Sequence, residues 1–112
     1  RELRLCLNES MENLTLHGVN CRISVKGEGR LSVEQAAQIY DLFEAVVEES
    51  LPTLQCILFF VDAEKTEKEI YLSVQCDEVL CHLKERFPGL MLEEEEGLSY
   101  LTWNMKKTGG EW

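Results

Sequence analysis

Hydrophobic positions recur along the chain with two periods, one typical of helices and one typical of strands. In residues 2–17, Leu3, Leu7, Met11 and Leu14 recur at helical spacing, and Gly18 follows as a stop. Leucine also alternates over the first seven residues, which leaves a strand as the alternative there.

A second helix is predicted from Ser32 to about Leu51. Ser32 and Gln35 have the spacing of a capping box, and Pro52 ends the helical pattern. At 100° per residue one apolar stripe is predicted to face the core, widened by Ile39 and Val46. The stripe consists of Ala36, Tyr40, Phe43, Val47 and Leu51.

Five segments have the composition and alternation of strands. They are residues 21–26, 55–63, 69–76, 90–94 and 98–105. A short helix is predicted over 77–87, with Val79, Leu80, Leu83 and Phe87 pointing inward. The element order predicts an α+β fold, a two-layer α/β sandwich whose mixed sheet carries the helices on one face. The whole chain, 1–112, is predicted to form this single domain.

The strand over 55–63 is apolar on both faces, which is typical of a central strand. If the helices cover only one face, then Ile57, Phe59 and Val61, or their alternates, are exposed. An exposed apolar patch of this kind indicates a partner or a neighbouring domain. On the last strand, by contrast, Tyr100, Leu101 and Trp103 are expected to lie in the core or on a sheet face.

Composition and charge narrow the classes of function. The net charge is −10, from 21 acidic and 11 basic residues, which argues against binding to nucleic-acid backbones. No apolar run reaches the length of a membrane span, so we expect no membrane contact. The five cysteines include no C-x-x-C pair, and their positions favour a reducing compartment.

The chain starts at Arg1, inside a predicted helix, so we interpret it as a piece of a longer protein. Its last segment, KKTGGEW, is predicted to be frayed.

Two carboxylates on the second helix are the first candidate site. Glu44 and Glu48 lie one turn apart, where like charges repel. Glu44 lies at the edge of the apolar stripe, so it is expected to be partly buried or to line the rim of a cleft. The simplest alternative is a solvated acidic edge.

The stretch from LHGVNCRISVKG through IYDLFEAVVEES and LQCILFFVD to EIYLSVQCD resembles the ATP-binding domain of sensor histidine kinases. The later ERFPGLMLEEEEGLSYLTW resembles the closing hairpin of that family. The resemblance implies that Glu44 takes the place of a catalytic glutamate near the phosphates. It also implies that Glu48 replaces an asparagine that holds magnesium, which accepts oxygen ligands.

The same resemblance places a D-x-G adenine motif at VQCDE. Cys76 then aligns with the aspartate and Glu78 with the glycine; if Asp77 is the aspartate, Val79 replaces the glycine. Either way a side chain projects where only backbone fits. The glycine-rich lid is also missing, because no glycine occurs between Gly29 and Gly89. Cys76 and Asp77 are therefore candidates for a degenerate adenine site.

The resemblance implies a cytoplasmic signalling domain that uses Mg-ATP. It also implies that this domain is part of a larger kinase, and such parent kinases are sometimes membrane-anchored. Its partners would be other domains of the parent kinase and a response regulator. Neither His17 nor His82 has the acidic neighbour of a phospho-acceptor histidine in that family. Two functions stay open: a catalytic ATP-binding domain, degenerate in its motifs, and a non-catalytic module that works by docking or homodimerisation.

Overall fold

The computed structural model describes residues 2–105, and the KKTGGEW segment lies outside them. The elements, in chain order, are α1 (Leu3–Leu16), β1 (Asn20–Lys26), α2 (Val33–Ser50), β2 (Cys56–Asp62), β3 (Lys68–Gln75), α3 (Leu83–Arg86), β4 (Met91–Glu95) and β5 (Leu98–Met105). Short 3-10 turns, Glu28–Arg30 and Leu51–Thr53, lie before and after α2.

The five strands form one sheet in the order β1-β2-β3-β5-β4. β1 pairs parallel with β2, and the other pairs are antiparallel, so the sheet is mixed as predicted. Alternate residues of the strands join the helices in one core. The core side of the three central strands is buried at Ile57, Phe59, Val61, Ile70, Leu72, Val74, Ser99, Leu101, Trp103 and Met105. No helix of residues 2–105 covers the opposite face, so the α+β two-layer prediction is confirmed.

The ends of α2 form as the sequence predicts. The Ser32 backbone N–H donates to Gln35 Oε1 at 2.9 Å, and the Gln35 N–H donates to Ser32 Oγ at 3.0 Å, which completes the capping box. At the other end the buried Ser50 hydroxyl donates to the Val46 carbonyl at 2.6 Å. The capping box therefore gives partners to two backbone donors at the start of α2, and the buried Ser50 hydroxyl has its partner within the helix.

The rotation of α2 differs from the predicted stripe. Ile39, Leu42 and Val46 are fully buried, and Phe43 meets Phe59 edge-to-face at 5.1 Å between ring centroids. The residues predicted at the centre of the stripe are less buried: Ala36, Tyr40 and Val47 are half-buried, and Leu51 is exposed. The apolar surface of α2 is wider than one stripe because it contacts both the sheet and α1.

The segment before α3 is not helical as predicted. Only Leu83–Arg86 is α-helix, and residues 77–82 form turns. Leu80, Leu83 and Phe87 are buried, but Val79 is 63% exposed, so the inward prediction was wrong for Val79. Helical spacing does not apply to residues in turns, which is why Val79 points elsewhere.

Adjacent valines test the rotation of α2. We expect Val46→Ala to lower the free energy of unfolding by about 2 kcal/mol, because it removes fully buried methyl groups and leaves a cavity. Val47→Ala, the matched control on the half-buried side, is expected to cost about half of that or less. Urea unfolding measures both values, and equal losses would contradict the observed rotation.

Candidate functional site

Glu44 and Glu48 face a small cleft between α1 and α2. They line it together with Ser10, Asn13 and Leu14, and its volume is about 150 Å³. Both carboxylates are exposed, so Glu44 lies at the rim of this cleft. This is one of the two positions expected for Glu44, the other being partial burial. Ligand pockets for small molecules are usually several hundred cubic ångströms, so this cleft is too small for a nucleotide.

Tyr40 links the two helices beside that cleft. Its hydroxyl and the Ser10 hydroxyl lie 3.0 Å apart in a hydrogen bond. The Ser10 bond lowers the pKa of Tyr40, but burial and the neighbouring Glu44 carboxylate outweigh it and raise the pKa above its ordinary value. Tyr40 therefore stays protonated at neutral pH. The Glu44 carboxylate interacts with the Tyr40 hydroxyl, which joins α2 to α1.

The loop after β3 is closed by its own hydrogen bonds. Thr53 Oγ1 donates to Glu78 Oε2 at 2.8 Å and accepts from the Asp77 backbone N–H at 2.8 Å. The buried Cys76 thiol is 3.7 Å from the Glu78 carbonyl, to which it donates, and burial is the main cause that raises its pKa. The Glu78 side chain is therefore held by the 3-10 turn Leu51–Thr53.

Two further contacts fix the rest of this loop. His82 Nε2 lies 2.7 Å from Glu49 Oε1 and connects the loop to α2. The Leu80 N–H donates to Glu94 Oε2 at 3.3 Å, while the Leu80 side chain is fully buried. The segment that precedes α3 is thus held between α2 and β4 by direct protein contacts.

The predicted site residues lie in two different environments. Cys76 and Asp77 belong to the loop fixed by Thr53 and Glu78, whereas the cleft of Glu44 and Glu48 includes no residue of that loop. Instead, the neighbouring glutamate of α2, Glu49, contacts the loop. Sequence reasoning missed Thr53, Glu49 and Glu94, because their partners are 20 or more residues away, or in a different element, and no spacing signals such contacts.

A larger groove lies elsewhere, between the start of α1, residues 28–33 and the start of α2. Its volume is about 760 Å³. Its charged lining residues are Glu2, Arg4 and Glu28. Arg4 is already paired, because its Nη2 donates to the Val25 carbonyl at 2.7 Å and its Nε lies 3.7 Å from Glu28 Oε1. The groove therefore offers mainly apolar surface and no obvious acid–base pair.

Residues 2–105 lack two features. No group of three or more His, Cys, Asp and Glu side chains is arranged to hold a metal ion there. Over the same residues, no helix has the length and apolar character needed to span a bilayer. Glu48 shares its cleft with Glu44 but belongs to no such group of three among the described residues, and its role at a metal stays a prediction.

All five cysteines are free thiols. Cys21 on β1 is half-buried, and burial, together with the neighbouring Cys56, raises its pKa to about 11. Cys81, in contrast, is exposed. Cys21 is therefore a protonated, unreactive thiol at neutral pH.

Comparison with known proteins identifies the fold. No protein-family model matches the sequence, and no curated protein matches it. Among solved structures, the catalytic domain of histidine kinase ThkA in a nucleotide-free orthorhombic form aligns with a TM-score of 0.52 and 9% identity, over 94% of this chain and 87% of that chain. A second nucleotide-free orthorhombic form of that domain gives the same TM-score and identity over 94% and 88%. The chain therefore has the fold of a histidine-kinase catalytic domain.

Replacing Thr53 tests the closed loop. Thr53→Val keeps the shape but removes both hydrogen bonds, so Asp77 N–H and the Glu78 carboxylate lose their partner. We expect a loss of about 1–3 kcal/mol in the free energy of unfolding and faster hydrogen exchange at the Asp77 amide. Thr66→Val, at an exposed position, is the control and should change neither. Unchanged exchange at Asp77 would mean that Thr53 does not hold the loop.

Alkylation with iodoacetamide tests the environment of Cys21. With a pKa of about 11, only about one Cys21 in a thousand is thiolate at pH 8. Its rate should rise about tenfold per pH unit from pH 8 to 10 in the folded protein, because the thiolate is the nucleophile. Peptide mass spectrometry measures the rate, with exposed Cys81 as the internal comparison. A Cys21 rate that levels off below pH 9 would rule out the raised pKa.

Proposed function

We propose that this domain is a histidine-kinase-type ATPase fold that has lost its nucleotide site and serves signal transduction as a non-catalytic docking or dimerisation module. The observation that carries the proposal is the closed loop after β3. Glu78 takes the place of the family's glycine if Cys76 takes that of its aspartate, and Val79 does so if Asp77 is the aspartate. The Glu78 carboxylate accepts a hydrogen bond from Thr53 at 2.8 Å. An adenine at this position would have to displace that contact and the Asp77 hydrogen bond.

The residues present do not fit Mg-ATP in the manner of the family. The segment from Asp77 to His82 is short, contains no glycine, and is held by the Glu49–His82 contact, so few backbone N–H groups are available to phosphates. Glu48 would hold magnesium only with ligands supplied by the nucleotide. The chain's net charge of −10 also disfavours a triphosphate that arrives without its metal ion.

The alternative is a catalytic ATP-binding domain of a sensor histidine kinase. The fold shared with the ThkA catalytic domain and the presence of Glu44 on α2 favour it. In that case the Glu44 and Glu48 carboxylates would act near a metal-bound triphosphate, with a histidine elsewhere as phospho-acceptor. Either function implies a cytoplasmic position, other domains of the same signalling protein as partners and, for the catalytic alternative, a response regulator.

Calorimetric titration separates the two functions. We expect no saturable heat with Mg-ATP or Mg-ADP up to millimolar nucleotide, and no rise in melting temperature, since a ligand that binds only the folded state must stabilise it. A folded, cooperative melting curve without nucleotide is the control. Micromolar binding that Glu48→Ala weakens would instead support the catalytic alternative.

A further inference from the structure

The helix-free face of the sheet presents an apolar surface with aromatic side chains. Phe60, Tyr71 and Tyr100 are each about 40% exposed, and Met91 at the β4 edge is 60% exposed. Between them lies a shallow cleft of about 250 Å³. Its outward-facing lining consists of Leu58, Phe60, Tyr71, Ser73, Tyr100 and Thr102. We call these six residues and Met91 the open face. A continuous apolar patch of this kind is typical of an interaction surface.

Charged residues border the open face with opposite signs on its two edges. On β1, Arg22 is exposed, and the alternation with buried Val25 directs it to the open face. On β4, Glu93 and Glu95 are exposed on the same face, because Leu92 packs against the core and alternate residues of a strand point to opposite faces. One edge is therefore basic and the opposite edge acidic.

The strand register connects these edges in single rows across the sheet. Arg22 pairs with Leu58, Leu58 with Ser73, Ser73 with Tyr100, and Tyr100 with Glu93. The row thus runs from a cation through apolar and small residues to an anion. The next row runs through Ser24, Phe60, Tyr71, Thr102 and Met91. β3 is the central strand of both rows.

We infer that the open face is covered by a second copy of this chain in a two-fold, face-to-face sheet packing. The inference rests on the proposed function, since it names the surface and the partner of the non-catalytic module. A two-fold axis parallel to the strands and above β3 reverses each row onto itself. Arg22 then lies opposite Glu93 of the second copy, and Leu58 opposite its Tyr100.

The alternative two-fold, with its axis across the strands, would place each β1 edge against itself. Arg22 would then face Arg22 and Glu93 would face Glu93, which is repulsive. Charge at the two edges therefore favours the packing whose two-fold axis runs along the strands, in which Arg22 lies opposite Glu93. Aligned sheets pack about 10 Å apart with a twist of about 30°, which long Arg and Glu side chains can span at the edges.

The size of the face sets the expected affinity. A five-stranded sheet of this length buries roughly 1,000 Å² in total when two faces meet, near the lower end for specific interfaces. The aromatic centre supplies anchors, and the charged edges supply orientation and association rate more than affinity. We therefore expect a reversible dimer with a dissociation constant in the range of about 1–100 μM.

Charge exchange tests the packing. Each dimer contains the Arg22–Glu93 pair twice, so Arg22→Glu or Glu93→Arg alone turns two attractions into repulsions. We expect each to raise the dimer dissociation constant about tenfold at low salt, and the double variant R22E/E93R to restore most of the wild-type value. Sedimentation equilibrium measures the constants. The controls are Lys84→Glu and Glu12→Arg, which make the same charge changes at exposed positions off the open face.

A substitution at the centre of the open face tests the position of the two-fold axis. Tyr71→Lys places two ammonium groups against each other at the two-fold axis and should abolish the dimer while circular dichroism shows an intact fold. A wild-type protein that stays monomeric at millimolar concentration would overturn the inference. So would a double variant R22E/E93R whose dimer dissociation constant is no lower than those of the two single variants.

The same samples, titrated with Mg-ATP, separate this inference from the proposed function. A monomer that binds no nucleotide leaves the proposed function standing but shows that a different domain, not a second copy, covers the open face, which overturns the inference. Saturable nucleotide binding contradicts the proposed function, and with it the basis of the inference. A dimer without nucleotide binding supports both.

Discussion

Burial of one side of α2 against the sheet is the constraint on which the rest of the structure depends. Ile39, Leu42 and Val46 are fully buried, and the Phe43 ring packs edge-to-face against the Phe59 ring. Once these side chains face the sheet, the 100° step per residue fixes where every other residue of α2 points. Glu44 and Glu48 are then directed to solvent beside α1, and Glu49 to the loop that carries His82. The distribution of carboxylates follows from hydrophobic packing.

Much of the fold could be predicted from the sequence because it is encoded in local patterns. The capping box at Ser32 and the alternation of β3 each rest on residues a few positions apart, and both formed as expected. The rotation of α2 was predicted less well, since α1 covers the flank near Tyr40 and Val47 and makes two surfaces apolar. Tyr100 was expected in the core or on a sheet face, and it lies on the open face.

The candidate site was harder to predict, and the reason is physical. Its decisive contacts join residues far apart in the chain: Thr53 with Glu78, 25 residues later, and Glu49 with His82. Polar side chains in loops have many geometrically acceptable partners, and only the assembled fold selects among them. The sequence predicts a loop without glycine after β3, but not that the Glu78 carboxylate binds the turn that follows α2.

The sheet has a second face that no helix of residues 2–105 covers. In the histidine-kinase ATPase-type fold the helices pack on one side of the sheet. The side chains on the other side must therefore be polar or be covered by another surface. Here it is neither fully polar nor covered by residues 2–105, because Phe60, Tyr71 and Tyr100 are all partly exposed on it. Aromatic side chains that are exposed to water lower the solubility of a protein unless a partner buries them. Since Arg22 and Glu93 end the same row at opposite edges, the face is complementary to itself, and a second copy satisfies both its apolar centre and its charges.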